Sequence, residues 1–205
     1  MKNILIINAG QNFEHSGGKF NKTITENSLS FFNEIPDVEV KITNIDEGYD
    51  ANEEVEKFVW ADYILYHTPI WWFQVPHGFK KYIDVIFTVG HQNGIYKSDG
   101  RTRENPEINY GTGGLLSGRK YMLTTSWNAP KTAFTLPGEF FQEKSVDDGP
   151  LFGFHRMNAF VSLEKMKSFH FHDIEKNADT PTDMKRYQEH LKEVFEEEFN
   201  LVNNY

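Results

Sequence analysis

The sequence predicts an α/β fold: a five-stranded parallel sheet in the order 2-1-3-4-5, with helices packed on both faces. Three observations carry this expectation. Short apolar, β-branched runs alternate with stretches of helical apolar spacing along the whole chain. The runs are apolar on consecutive residues, as in strands covered on both sides by helices. Right-handed crossovers then leave few ways to wind five such units into one sheet.

Asn3 to Asn8 is the first strand, followed by a polar, glycine-containing stretch from Ala9 to Lys19. Phe20, Ile24, Phe31 and Phe32 then recur at helical spacing. Val38, Val40 and Ile42 alternate as a second strand, and Glu53 to Trp60 is helical, with Val55, Phe58 and Val59 on one side. Tyr63 to Tyr66 is a third strand that runs out at His67-Thr68-Pro69. A helix from about His77 to Phe87 presents Phe79, Tyr82, Ile83 and Ile86. Gly90 to Gly118 holds seven glycines among polar residues. It reads as one long loop with a role, because connections over about 12–15 residues are uncommon in compact domains. Lys120 to Thr125 is the fourth strand, Gly149 to Phe160 a helix entered through Pro150, and Met166 to Ile174 the fifth strand. Thr180 as N-cap, Pro181 at the first position and Asp183 in the first turn open the last helix, whose buried stripe is Tyr187, Leu191, Val194 and Phe195. No repeat, low-complexity segment or linker interrupts the series, so residues 1–205 read as one domain.

A domain of 205 residues needs no covalent staple, since it buries roughly 70% of its unfolded surface. The absence of Cys excludes disulfides, thiolate metal sites and dithiol chemistry, so any redox activity must come from a bound cofactor. A net charge of -9 argues against nucleic acid or an anionic membrane as partner. No apolar stretch approaches the roughly 20 residues of a membrane span, and the start lacks a signal-peptide pattern. A cytoplasmic location is the expectation. Aromatics reach 15%, which suits either an aromatic core or rings lining a site for a flat ligand.

In a doubly wound sheet the ligand sits at the carboxyl ends of the strands, which selects three loops. After the first strand, Ser16, Gly17, Gly18, Lys19, Phe20, Asn21, Lys22 and Thr23 lead into a helix. Glycines let the backbone approach an anion there, and free N–H groups at the helix start favour negative charge. The loop suits a phosphate or pyrophosphate; the alternative is a solvent turn with Ser as helix cap. After the third strand, Pro69 and Pro76 bracket Ile70, Trp71, Trp72 and Phe73 in a non-helical segment. Rings on a stiff loop suit a planar heterocycle, or else a hydrophobic plug or dimer contact. After the fourth strand, Ser126, Trp127, Asn128 and Ala129 add an aromatic and small polar groups.

At these residues the sequence resembles the NAD(P)H:quinone oxidoreductases of flavodoxin-like fold. The segments that carry the resemblance are His15 to Asn21, Pro69 to Pro76, Tyr96 to Arg103, Tyr110 to Leu115, and Leu116 to Lys120 leading into Ser126-Trp127-Asn128. The resemblance covers nearly the whole chain. It implies a flavodoxin-like three-layer fold, FAD rather than FMN, NADPH or NADH as donor, a homodimer, and two-electron reduction of quinones by ping-pong hydride transfer. It places Ser16 to Thr23 on the flavin phosphates, Pro69 to Trp72 on the ring, and Tyr110 and Ser126 to Ala129 on further flavin contacts. Ser126 stands where a Thr is expected, and both offer a hydroxyl. No acid–base residue is implied with the same force; Tyr110 is the candidate.

Other features carry less. Gly111-Thr112-Gly113-Gly114 lacks the third glycine of a dinucleotide fingerprint and precedes a strand instead of following one. His170, His172 and Asp173 lack a further ligand at metal-binding spacing. Three rival functions share the fold: a flavodoxin-type electron carrier, a regulatory ancillary subunit of a potassium-efflux system, and a reductase of nitro, azo or flavin substrates. Turnover of NAD(P)H with menadione separates the first from an enzyme, and co-purification with a transporter would mark the second.

Overall fold

Alternate residues of each buried strand enter opposite layers, and this organises the molecule. The computed structural model describes residues 1–199. β1 (Lys2–Asn8) sends Ile4 and Ile6 to one face and Leu5 and Ile7 to the other, all fully buried. The elements that follow are β2 (Asn12–Phe13), β3 (Ser16–Gly17), α1 (Lys19–Asn33), β4 (Val38–Asn44), α2 (Ala51–Trp60), β5 (Tyr63–Pro69), α3 (His77–Val89) and β6 (Lys120–Ser126). They are succeeded by α4 (Thr132–Thr135), α5 (Phe152–Phe160), β7 (Glu164–Lys165), β8 (Phe169–Phe171) and α6 (Thr180–Phe199). Every pairing in the main sheet is parallel, in the order β4-β1-β5-β6, with β7 and β8 both on the far side of β6. This is the expected 2-1-3-4-5 order.

One apolar layer joins Ile4, Ile6, Leu65 and Met122 to α1 and α6 through Ile24, Phe32, Leu191 and Phe195. The other joins Leu5, Ile64, Tyr66 and Leu123 to α2, α3 and α5 through Phe58, Phe79, Ile86 and Phe154. In the second layer Glu54 is buried, accepting hydrogen bonds from Tyr82 Oη at 2.6 Å and Thr43 Oγ1 at 2.8 Å.

Three expectations need correction. The fifth strand is two short pieces separated at Met166–Ser168, and His172 and Ile174 lie beyond it. It is the outer strand, and charged Glu164, Lys165 and Lys167 with an interrupted ladder protect a free edge from adding strands. The last helix is capped by Asp179, whose Oδ1 accepts the Thr182 N–H at 3.2 Å, so Thr180 is already helical. The helix after Pro150 begins at Phe152: its first i to i−4 bond runs from His155 N–H to Leu151 O, and the chain before it is held in turns by Gly149 and Leu151 N–H on Ser145 and Val146.

Residues 90–118 contain no helix or strand, as expected, yet they are pinned. Ile95 and Leu116 are fully buried, and Lys97 N–H donates to Gly113 O at 2.9 Å. A Cβ on Gly113 would collide with the Ser98 carbonyl. Gly113→Ala is therefore expected to cost about 1–3 kcal/mol, and a thermal melt should show it at roughly 2–4 °C per kcal/mol. An unchanged midpoint would mean that the segment shifts freely.

Candidate functional site

Because the long strands are parallel, their carboxyl ends share one edge. The loops after β1, β5, β6 and β8 meet there around a cleft of about 800 Å³.

The first wall is the β2–β3 ribbon and the start of α1. Gly18 turns the chain into the helix at φ +64°, where a side chain costs about 1–2 kcal/mol. No side chain caps the first turn of α1 and no acid stands in it. The first N–H groups, with the positive end of the helix dipole, are therefore available at the cleft wall. Asn21 is 2% exposed. Its Oδ1 accepts from Ser126 Oγ at 3.5 Å, while its Nδ2 has no partner among the described residues. A buried donor without an acceptor costs about 1–3 kcal/mol, which a ligand oxygen would relieve.

The second wall is the segment after β5. Pro69 pairs with Ser126 in register, and Ile70 N–H donates to Ser126 O at 2.9 Å. Trp71 and Gln74 exchange both backbone hydrogen bonds, at 2.9 and 3.1 Å. Trp72 and Phe73 lie between them at φ +48° and +68°. Two left-handed central residues make a type I′ turn, a place for Asn-Gly and a strained one for large rings. Phe73 anchors the turn by stacking on Phe140 at 5.3 Å, and Gln74 Nε2 donates to Pro150 O at 2.9 Å. Trp72 is left 91% exposed at the mouth of the cleft, while Trp71 packs on Phe13 at 5.4 Å.

Of the residues expected in the site, Ser16 to Asn21, Pro69 to Trp72, Ser126 and Asn128 line this cleft together. Trp127 does not, because the two-residue alternation turns it to the opposite side. It is 3% exposed, its Nε1–H donates to Thr125 Oγ1 at 2.8 Å, and its ring packs against Phe134 and Phe141. Lys22 and Thr23 lie past the first turn of α1; Thr23 Oγ1 donates back to Lys19 O at 3.2 Å. Ala129 lies beyond Asn128, its carbonyl accepting from Asp173 N–H at 3.2 Å. Tyr110 lies outside the cleft on the 90–118 segment, 69% exposed, with Arg101 over its ring at 5.4 Å. Phe13, Glu14, His15, Ile174 and Glu175 complete the lining. The first three sit in the loop that the topological rule selects, and the last two follow the fifth strand, where the same rule also applies.

Beneath the floor, His67 is fully buried near the end of β5. Thr25 Oγ1 lies 3.0 Å from its Nδ1, and Tyr187 Oη and Ser28 Oγ lie 3.1 and 3.3 Å from its Nε2. Burial lowers its pKa to about 3, so the ring is neutral and ties α1 and α6 to the sheet. On the opposite face Asp147 Oδ1 accepts from His155 at 2.8 Å and His170 at 3.2 Å. Burial pushes this carboxyl up, but hydrogen bonds from His155, His170 and Lys165 outweigh it and hold it below the usual range. Among the described residues no group of three His, Cys, Asp or Glu is placed to hold a metal ion.

With this fold and cleft in view, residues 2–195 match the family described as flavodoxin-like fold. The chain belongs to that family. This flavodoxin-like chain is 42% identical to NADPH:quinone oxidoreductase MdaB of Haemophilus influenzae over 193 residues, 94% of this chain and 99% of that protein. It is also 42% identical to an uncharacterized protein of Schizosaccharomyces pombe over 192 residues, 94% of this chain and 96% of that one. Among solved structures, general stress protein 14 of Treponema denticola, in complex with FMN, superposes with a TM-score of 0.62 at 19% identity. That superposition covers 93% of this flavodoxin-like chain and 99% of the other, and it shows shared fold. No helix among the described residues is long and apolar enough to cross a membrane.

Proposed function

We propose that the cleft holds FAD and that this chain is an NAD(P)H:quinone oxidoreductase reducing quinones by two electrons in a ping-pong cycle. One observation carries the reading. An uncapped helix start, the unpartnered Asn21 amide and a stiff aromatic turn converge on one cleft. The first two ask for an anion; the third offers a flat wall and backbone groups for the rim of a ring. The name of the Haemophilus influenzae relative supports the activity, and the FMN of the Treponema denticola structure supports a flavin. FAD is preferred to FMN on the resemblance to the NAD(P)H:quinone oxidoreductases, and the cleft of about 800 Å³ is open enough for either. It also spans four strand ends, from Trp72 to Glu175.

A bound flavin supplies the hydride chemistry. The chain's part is to bind and orient. The N–H groups of the first turn of α1 hold phosphate, and Asn21 Nδ2 donates to a ligand oxygen. Pro69 to Trp72, with Ser126 and Asn128, flank the ring. Trp72 presents an exposed flat face to donor and acceptor in turn. The reading includes a homodimer, which sedimentation tests.

The deciding measurement is chromatography of the flavin released from purified protein, with turnover of NADPH and NADH on menadione. FAD and turnover are expected. FMN would overturn the choice of FAD, and a flavin-loaded protein without turnover would overturn the enzyme. Trp72→Ala should leave the stability of the flavin-free protein within about 0.5 kcal/mol of the parent, since an exposed ring is lost. It should raise the acceptor KM several-fold or weaken flavin retention. Unchanged values for both would remove Trp72 from the site.

A further inference from the structure

Beside the cleft lies a second recess of about 540 Å³. The two share a wall. The loop after β6 gives Asn128 to the cleft and Lys131 to the recess; the chain leaving β8 gives His172 to the recess and Ile174 to the cleft. His172 Nδ1 lies 3.3 Å from Ala129 O, and Ile174 N–H donates to Trp127 O at 3.2 Å, which stitches the wall together.

Three cations and two carboxylates line the recess, in a chain of net charge -9. Lys131, Lys167 and Arg186 line it with three imidazoles, those of His170, His172 and His190. Glu189 and Glu193 line it too, but Lys167 Nζ neutralises Glu193 at 2.6 Å. Arg186 meets Asp183 at 3.2 Å. Lys131 has no carboxylate partner among the described residues. Ser168 Oγ is buried in the wall and likewise has no partner among them. His172 is held down to about 4, by burial first and then by the positive field of His170, Lys131 and Arg186. Burial also lowers His190. Imidazoles kept neutral beside cations are groups that an anion recharges, so its binding takes up protons. A metal is the poorer occupant, since no three ligands converge among the described residues.

We propose that this recess binds a phosphate monoester dianion, held by Lys131 and Arg186 with hydrogen bonds from Ser168 and His172. Two sources share that chemistry. One is the adenosine 2′-phosphate of NADPH reaching over the shared wall; the other is a free phosphorylated small molecule. Only the first rests on the reductase reading.

The test is titration of the full flavin-loaded chain with inorganic phosphate at constant ionic strength, followed by proton NMR of the histidine C2 positions. His172→Gln assigns its signal. A saturable shift of the His172 and His190 signals is expected at pH 7.5, where phosphate is largely the dianion. Lys131→Glu and Arg186→Glu change exposed side chains; each should weaken the midpoint at least tenfold with an unchanged melt. No saturable shift, or one that sodium chloride reproduces, overturns the site. This titration needs no turnover, so its failure is separate from that of the quinone reductase reading. The source follows from Arg186→Glu kinetics. A KM raised tenfold for NADPH alone assigns the phosphate to the donor. Two unchanged KM values with phosphate binding lost assign it to a free molecule.

Discussion

Ser16→Asp is expected to leave the fold intact and strip the flavin. Ser16 sits in the short β2–β3 ribbon and lines the cleft without entering either core cluster. A carboxylate there opposes a phosphate by like charge and itself takes the positive end of α1. Like-charge juxtaposition at a binding surface costs several kcal/mol, so affinity should fall on the order of 100-fold, about 2.7 kcal/mol. Ser16→Ala removes one neutral hydrogen bond and should cost only about 0.5–1.5 kcal/mol. The readout is the flavin-to-protein absorbance ratio after gel filtration, with circular dichroism as the check on folding. Full occupancy in Ser16→Asp would take the phosphate away from this loop.

Acid is expected to destabilise the protein well above the range in which carboxylates titrate, through His67. Its ring is fully buried and its pKa is lowered to about 3 by that burial, against about 6.5 in the unfolded chain. Between those values the unfolded state binds the extra proton, so stability rises with pH. It is complete above about pH 6.5 and drains away as the pH falls toward 3, on the order of 5 kcal/mol at full extent. His172, held near 4, adds to the loss in the same window. Asp147, held low by its His and Lys partners, adds to the loss only below about pH 4. Urea midpoints between pH 7.5 and 4.5 measure the slope. His67→Gln should be less stable at pH 7.5, with Thr25, Ser28 and Tyr187 losing partners, but flatter with pH. A variant curve parallel to the parent would overturn the assignment.

Strand order was legible because each central strand is a continuous apolar run, and such runs have one stable place, between two helix layers. Asn3 to Asn8, Tyr63 to Tyr66 and Lys120 to Thr125 all lie inside observed strands. The fifth strand was less legible, since an outer strand pairs on one side only and its alternating Phe and His pattern does not reveal the break at Met166–Ser168. Asp179 took the helix cap from Thr180, one residue away, because both side chains suit the role and only the turn geometry selects one.

The loops after β1, β5 and β6 line one cleft. The order of apolar runs determined which strand ends meet, and therefore that Ser16 to Asn21, Pro69 to Trp72, Ser126 and Asn128 share a wall. That depends on chain connectivity and the handedness of crossovers, which a linear sequence contains. The direction of each side chain does not follow from it. Trp127 turns into the core, Trp72 stands in solvent on a strained turn, and Asn21 keeps an unmatched amide. Those outcomes were decided by tertiary structure: Phe134 and Phe141 fold back over Trp127, Phe140 reaches Phe73 from far along the chain, and Ser126 meets Asn21 across 105 residues. Only packing them together determines which ring is buried and which polar atom is left for a ligand.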